Sequence, residues 1–425
     1  MRMKCLEKKA KAYALKNALS HEGKSKIGSV ISALFNEGLK KSEVKKYSKE
    51  ISKVVSEVNS LSIEEQEKEF EKLENEISER KVREGLEELP NNKKVIMRFA
   101  PSASGPLHIG HAMTASLSFL YVEKYHGKFY VRIEDTNPEN IYKNAYKMIE
   151  EDSKYLFDNK AEIIIQSYRM EIYYKYAEKL IKKNAAYVCT CSGDEFREFV
   201  KKKKNCPCRS LIGKENLKKW KKMLTPQAYT KEVREPLRGP DKFSKKISTK
   251  SKNGFKQGEA VLRFKSNMED SNPAMRDFPL ARINTTTHDL QKNKYKVWPL
   301  MNLAVVVDDI EMKITHIIRA KDHRDNAKRQ EMIFNVLGKK SPWTSFLGRF
   351  KFKDMELSTT KIRQEIEQGK YSGWDDPKLP TLVSLKKQGY KPEAFWKFAE
   401  QIGLSENDKV MDKKEYFMLL KDFNK

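Results

Sequence analysis

The feature that most constrains this chain lies between Lys93 and Ile133. An apolar run, "KKVIM", passes through the turn-rich "RFAPSASGPL" into a long segment with helical spacing and then into a second apolar run, "GKFYVRI". Strand, turn, helix and strand in such close succession predict a βαβ unit, and repeated units of this kind build a doubly wound α/β fold around a parallel sheet. "NAYKMIEEDSKYLF" and "YRMEIYYKYAEKLIKKN" add two helices, and "THIIRAKDHRDNAKRQEMIFNVLG" reads as strand, loop and helix. In such a sheet ligands bind at the carboxyl ends of strands, where loops lead into helices. The turn before His108 occupies that position and delivers His108 and His111 to the first turn of a helix. Free backbone N–H groups there favour phosphate. Two histidines three residues apart share a face and can add donors, while Gly110 permits close approach.

Residues before about Leu89 read as helices. "IGSVISALFNEGL" has apolar residues at i, i+3, i+4 and i+7, and Ser62 with Glu65 forms a capping-box pattern before an amphipathic run. "LPNNKK" reads as a linker. "GEAVLRFK" and "YKVWPLMNLAVVVDDI" are expected to resume the β pattern, the segment from about Thr225 to Gly258 is expected to be an exposed insertion, and the tail from Gly369 is expected to be largely helical. There is no internal repeat.

A formal net charge of +26 asks for a polyanionic partner, and its distribution says where. Between Lys201 and Lys256 there are 19 Lys and Arg against four Asp and Glu, whereas the first 90 residues are nearly balanced at 19 and 17. Concentration in one segment favours nucleic acid. No apolar stretch approaches the roughly 20 residues that span a bilayer. The N-terminal residues lack the apolar block of a secretory signal, so a cytoplasmic protein with no membrane partner is expected. Cys189, Cys191, Cys206 and Cys208 form a C-x-C, fourteen-residue spacer, C-x-C pattern. It can offer four thiolates to one structural Zn2+.

Several blocks resemble one enzyme family. "RFAPSASGPLHIGHA" is similar to the "HIGH" signature of class I aminoacyl-tRNA synthetases in the form used by the glutamyl and glutaminyl enzymes. "FYVRIEDTNPEN" resembles their next strand and acidic loop. "MELSTTKI", Met355 to Ile362, resembles the archaeal and eukaryotic variant of their "KMSKS" loop, and "YSGWDDPKLPTLVSLKKQGYKPEAF" is similar to the segment C-terminal to that loop in the same enzymes. "HEGKSKIGSVI" and "VNSLSIEEQ" resemble the N-terminal helical region of archaeal glutamyl-tRNA synthetases. The blocks keep their order and spacing from about residue 10 to residue 422.

The resemblance implies glutamate–tRNA ligation, in which ATP with Mg2+ activates glutamate and the glutamyl group passes to tRNA(Glu). It implies that His108, Gly110, His111, Ser358, Thr359 and Lys361 serve ATP, with His108, His111 and Lys361 catalytic. It assigns Arg98 and Ser102 to the amino acid, Glu134 to its ammonium and Arg319 to its γ-carboxylate. An Arg at this last position marks the glutamyl branch, because it leaves an amide poorly served. Two departures stand out. Ala103 replaces a proline, costing loop rigidity, and Met301 replaces a tyrosine beside the amino acid and cannot donate its hydroxyl hydrogen bond.

The implied organisation is an N-terminal helical domain (1–89), a Rossmann-like catalytic domain in two halves (90–188 and 298–368), an acceptor-binding domain inserted between them (189–297) and a C-terminal helical region (369–425). Anticodon-reading β-barrels, which come next in archaeal and eukaryotic relatives, are expected to be missing or supplied by a separate chain. Three other readings stay open at this point: a glutamyl-queuosine tRNA(Asp) synthetase, a glutaminyl-tRNA synthetase and a non-enzymic tRNA-binding descendant.

Overall fold

The computed structural model describes residues 3–39, 43–77, 85–225 and 254–425. The chain forms two compact units, Met1–Arg83 and Glu84–Lys425. The first holds helices α1 (Met3–Leu19), α2 (Ile27–Asn36), α3 (Val44–Asn59) and α4 (Ile63–Leu73). Their helical period is set by apolar residues on one face. In α3 these are Tyr47, Ile51, Val54, Val55 and Val58, which pack with Leu6, Ala14, Val30 and Leu34. The expected capping box opens α4: the Ser62 hydroxyl accepts from the Glu65 N–H at 3.3 Å, and the Glu65 carboxylate accepts from the Ser62 N–H at 2.8 Å. Gln66 is fully buried and its amide donates to the Val58 and Gly23 carbonyls at 2.9 and 3.0 Å, satisfying helix-end and turn acceptors.

The second unit begins with β1 (Ile96–Phe99), α5 (Ile109–Lys124), β2 (Lys128–Ile133), α6 (Ala145–Leu156), β3 (Glu162–Ile165) and α7 (Met170–Lys182). The three strands are parallel in the order β1-β2-β3. The chain then builds an antiparallel sheet from β4 (Ala186–Cys189), β5 (Val261–Phe264), β6 (Pro279–Ile283) and β7 (Val297–Pro299), with α8 (Gly193–Lys201) and α9 (Gly213–Leu224) between its first two strands. It returns through α10 (Met301–Glu311), β8 (His316–Ala320), α11 (Arg324–Val336) and β9 (Trp343–Leu347). Strand β8 pairs in parallel with β9 and starts beside β1, where the Thr315 N–H donates to the Ile96 carbonyl at 2.9 Å. The two halves of the parallel sheet therefore meet at β1 and β8, as a doubly wound fold requires. Alternate residues face opposite ways: Met97, Val131 and Ile318 join the core under α5, while Ile96, Tyr130 and Ile317 join a second cluster with Met312 and Ile314.

The remaining elements are β10 (Phe350–Phe352), α12 (Thr359–Glu367), α13 (Leu382–Lys387), α14 (Pro392–Ile402), β11 (Lys409–Met411) and α15 (Lys413–Phe423). Tyr416 is buried among Phe350, Phe352 and Phe398, and β10 pairs in parallel with β11. No helix among the described residues is long and apolar enough to cross a membrane.

Local reading mistakes one helix for strand. "YKVWPLMNLAVVVDDI" supplies only the three residues of β7 as strand, and Met301–Glu311 is helical. Helix α10 is buried from Asn302 to Asp309. A helix covered all round has no polar stripe, so its period does not show in an apolar run. Strand pairing also cuts across the expected divisions at 188/189 and 297/298, because residues 186–189 and 297–299 share the antiparallel sheet. Leu89 is buried in the core of the second unit, so that core starts ahead of residue 90. Of the expected insertion at 225–258, residues 226–253 lie outside the described residues.

The turn between α5 and β2 leaves no room for a side chain at Gly127, where an added Cβ falls 2.1 Å from the Val95 carbonyl oxygen. Gly127→Ala must push β2 away from the entry to β1. Thermal or urea unfolding should register a loss of about 1–3 kcal/mol; an unchanged midpoint contradicts this packing.

Candidate active site

The loops after β1 and β2 are tied together by backbone hydrogen bonds. The Glu134 N–H donates to the Pro101 carbonyl at 2.8 Å, and the Ala103 N–H donates to the Glu134 carbonyl at 3.3 Å. A proline at 103 has no N–H to give, so Ala103 gains a cross-loop bond in place of ring rigidity. Ser102 is exposed on this loop, its hydroxyl 3.0 Å from that of Ser104. The chain then reaches His108, which caps α5.

The His108 Nδ1 accepts from the Gly110 N–H at 3.1 Å, and the His108 N–H donates to the His111 Nδ1 at 3.4 Å. The two rings stack with centroids 3.8 Å apart. Desolvation pushes both pKa values down, His111 to about 4 and His108 well below the usual range, the latter helped by the neighbouring ring. Both imidazoles are therefore neutral at pH 7. With Nδ1 accepting in each, the proton sits on Nε2, and each ring offers one N–H donor. The turn is clamped from outside. Leu107 N–H donates to a buried carboxylate oxygen of Asp152 at 2.8 Å, Ile109 N–H donates to the Pro380 carbonyl at 3.0 Å, and Leu382 N–H donates to the Leu107 carbonyl at 2.8 Å.

The loop carrying Ser358, Thr359 and Lys361 lies against this turn. A Cβ on Gly110 would crowd the Leu357 side chain at 3.1 Å, and one on Gly105 would fall 2.6 Å from the Thr359 methyl, so the two glycines ease the approach of these side chains. Ser358 caps α12 by accepting from the Lys361 N–H at 3.3 Å. The Lys361 ammonium is exposed and paired with Glu356. The structure thus brings the Leu357 and Thr359 side chains to the histidine turn and the loop before it, while the Lys361 charge is held by its own loop.

Beside the turn lies a buried charge cluster. Arg98 comes from β1, Arg132 from β2, Asp308 and Asp309 from α10, and Arg319 from β8, with part-buried Glu134 next to them. Arg132 is fully buried; it donates to Asp309 at 2.6 Å and Glu134 at 3.2 Å, and lies 3.7 Å from Asp308. Asp308 also accepts from Gln166, Arg169 and Tyr173 at 2.9, 2.7 and 2.8 Å. Arg98 makes one long contact to Asp309, 3.4 Å. Asp309, which burial alone would push up, is held below the ordinary carboxylate range by Arg98 and Arg132. Glu134 goes the other way: burial raises it, against the pull of the arginines.

Arg319 differs from its neighbours. Its Nη1 donates to the Gln330 amide oxygen at 2.8 Å, and its buried Nε has no partner among the described residues. Burial, together with repulsion from Arg98, pushes it down to about 10. A buried guanidinium without a carboxylate is costly unless an anion completes it. Met301, the first residue of α10, is 39% exposed, so it offers an apolar surface rather than a polar contact. Its neighbour Asn302 is buried and accepts from the Gln330 amide at 3.4 Å.

Sequence reading does not single out Arg132, Asp308, Asp309 or Gln330. The signal available is the charged residue inside an apolar strand, "FYVRI", and the acidic pair ending an apolar run, "AVVVDD". Both are places where a charge must be buried.

The family described as tRNA synthetases class I (E and Q), catalytic domain, matches residues 94–422. The chain belongs to this family. Its curated relatives include the glutamate–tRNA ligase of Methanothermobacter marburgensis, 40% identical over 411 residues, which cover 96% of this chain and 69% of that protein. The glutamate–tRNA ligase of Pyrococcus furiosus is 39% identical over 421 residues, covering 95% of this chain and 68% of that protein. The crystal structure of a glutamate tRNA ligase from Elizabethkingia meningosepticum superposes with a TM-score of 0.52 at 20% identity, over 76% of this chain and 68% of that one. At this identity the likeness shows a shared fold.

The synthetase carries its four paired cysteines where β4 ends and just after α8. The four sulfurs lie within 4.8 Å of one another. Cys189 and Cys206 are 3.8 Å apart, and Cys191 and Cys208 are 3.9 Å apart. Four thiolates about 2.3 Å from one tetrahedral zinc are separated by about 3.8 Å, so the spacing fits that ion. The Thr190 N–H donates to the Cys208 sulfur at 3.3 Å, as a thiolate acceptor requires.

Because His111 is depressed to about 4 in the folded synthetase and titrates near 6.5 when unfolded, the folded state binds fewer protons between those values. Its contribution to stability is present above pH 6.5 and is lost as pH falls toward 4. Between pH 8 and pH 5, urea unfolding of wild type should therefore lose about 2 kcal/mol more than that of His111→Gln, in which His108 still contributes its own drop. Equal slopes in the two proteins refute the neutral assignment.

Proposed function

We propose that the synthetase is a glutamate–tRNA ligase whose amino-acid pocket is built on Arg98, Ser102, Glu134 and Arg319. The observation that carries this reading is Arg319, a buried guanidinium whose hydrogen bond among the described residues goes to a neutral amide, with its Nε–H unpartnered there. A γ-carboxylate supplies the missing charge, whereas a glutamine amide leaves the cation uncompensated. Glu134 is the carboxylate placed to take the substrate ammonium.

In the first step a carboxylate oxygen of glutamate attacks the α-phosphorus of ATP, and diphosphate leaves. In the second, a hydroxyl of the terminal ribose of tRNA(Glu) attacks the acyl carbon, and AMP leaves. The Nε2 donors of His108 and His111 receive charge on the phosphate oxygens. Gly110 lets the nucleoside approach the backbone. Ser358, Thr359 and Lys361 meet the phosphates from the opposite side; there Lys361 exchanges Glu356 for the nucleotide, which brings Mg2+ with it. The antiparallel domain, with the lysine run 201–204 at the end of α8 and the lysine-rich helix α9, receives the tRNA acceptor end, pinned by zinc on Cys189, Cys191, Cys206 and Cys208.

Aminoacylation of total tRNA with labelled glutamate tests the reading. Wild type should charge glutamate in strong preference to glutamine, and periodate treatment of the tRNA should abolish charging, since it destroys the terminal ribose. Arg319→Ala should lose glutamate turnover by roughly 100-fold or more while ATP KM stays within roughly threefold. Full glutamate turnover in Arg319→Ala overturns the pocket; labelling that survives periodate points instead to transfer onto a modified base. Separately, metal analysis of protein purified without added zinc should find close to one zinc per chain, lost in Cys206→Ser. A metal-free, fully folded wild type removes zinc from the reading.

A further inference from the structure

The pocket needs something to hold the Arg319 guanidinium in place before glutamate arrives. Arg98 and Arg132 are each held by Asp309, whereas the hydrogen bond that orients Arg319 goes to a neutral group. That partner is Gln330 on α11, one buried side chain against another. The orientation of the amide is fixed by chemistry. Arg319 has only donors, so the oxygen of Gln330 must face it, and the NH2 is then turned toward the Asn302 side-chain oxygen, 3.4 Å away. Arg319, Gln330 and Asn302 form a relay from β8 through α11 to the first turn of α10, directly after Met301.

A glutamate at 330 could make a shorter, stronger bond to Arg319. It would also cancel the charge that selects an anionic side chain. A glutamine orients the guanidinium and leaves its charge intact. We propose that Gln330 is a specificity-determining positioning residue: as a neutral amide relayed to Asn302, it fixes Arg319 without neutralising it, so that only an anionic substrate side chain completes the pocket. Gln330 also lines a cavity of 340 Å³ between α11 and the β8–β9 edge, so a carboxylate of equal size is accommodated there.

The inference rests on Arg319 as the partner of the γ-carboxylate, and the two can fail separately. Aminoacylation kinetics are measured with glutamate and glutamine for wild type, Gln330→Glu, Gln330→Met and Arg319→Ala. Gln330→Glu should raise glutamate KM roughly tenfold or more and reduce the preference for glutamate over glutamine by a similar factor, with ATP KM unchanged. Gln330→Met, which keeps volume and neutrality but loses the acceptor, should raise glutamate KM roughly fivefold with kcat nearly unchanged and the preference retained. If Arg319→Ala loses glutamate turnover but Gln330→Glu keeps wild-type KM and preference, the inference is overturned. It is equally overturned if both Gln330 variants lower kcat alone, as a purely structural residue would. Should Gln330→Glu fail to fold, an unchanged glutamate KM in Gln330→Met decides against the inference by itself. Retained turnover in Arg319→Ala, by contrast, removes the underlying pocket.

Discussion

The fully buried guanidinium of Arg132, held by Asp309 and Glu134 with Asp308 beside it, is the interaction on which the rest of the site depends. It fastens β2 to α10, and Asp308 carries the same network on to Gln166, Arg169 and Tyr173 ahead of and within α7. Removing any one partner strands a charge in the interior, which costs several times more than an exposed ion pair contributes. Such a cluster is weak evidence of stability and strong evidence of specification. It fixes the rotation of α10 and the register of β2, and so decides where Arg98, Glu134 and Arg319 meet.

The distribution of charge depends on that frame. Asp309 is consumed by Arg98 and Arg132, leaving Arg319 with a neutral partner and the pocket short of negative charge on one side. Farther along the same sheet edge, the histidine turn is built in the opposite way. Both rings are kept uncharged by desolvation, and their donors point outward because Nδ1 is engaged within the turn. The histidine turn thus presents dipoles and N–H groups, and the Arg319 end a full charge.

Legibility in the sequence tracks the range of the interaction. The Ser62–Glu65 box and the His108–Gly110–His111 turn are closed within three residues, and each is readable from its own text. The Arg132–Asp309 pair spans 177 residues and leaves only the trace of charges embedded in apolar runs. Helix α10 reads as strand because complete burial erases its period. Met301 reads as the loss of a polar contact. The Asn302–Gln330 contact beside it is invisible in the sequence because it joins helices with a strand between them.

The sequence by itself determined the fold class, the position of the histidine turn at the end of β1, the cysteine pattern and membership of the class I synthetase family. All of these rest on local spacing and on residue types that backbone geometry demands at fixed positions. Only the tertiary structure decided the charge state of the site. Which guanidinium is neutralised, which is left with a neutral partner, and that both histidines are uncharged are consequences of burial and of partners from distant strands. The energy of a charge in a protein is set by its surroundings in space, and a residue's neighbours in sequence are a small part of them.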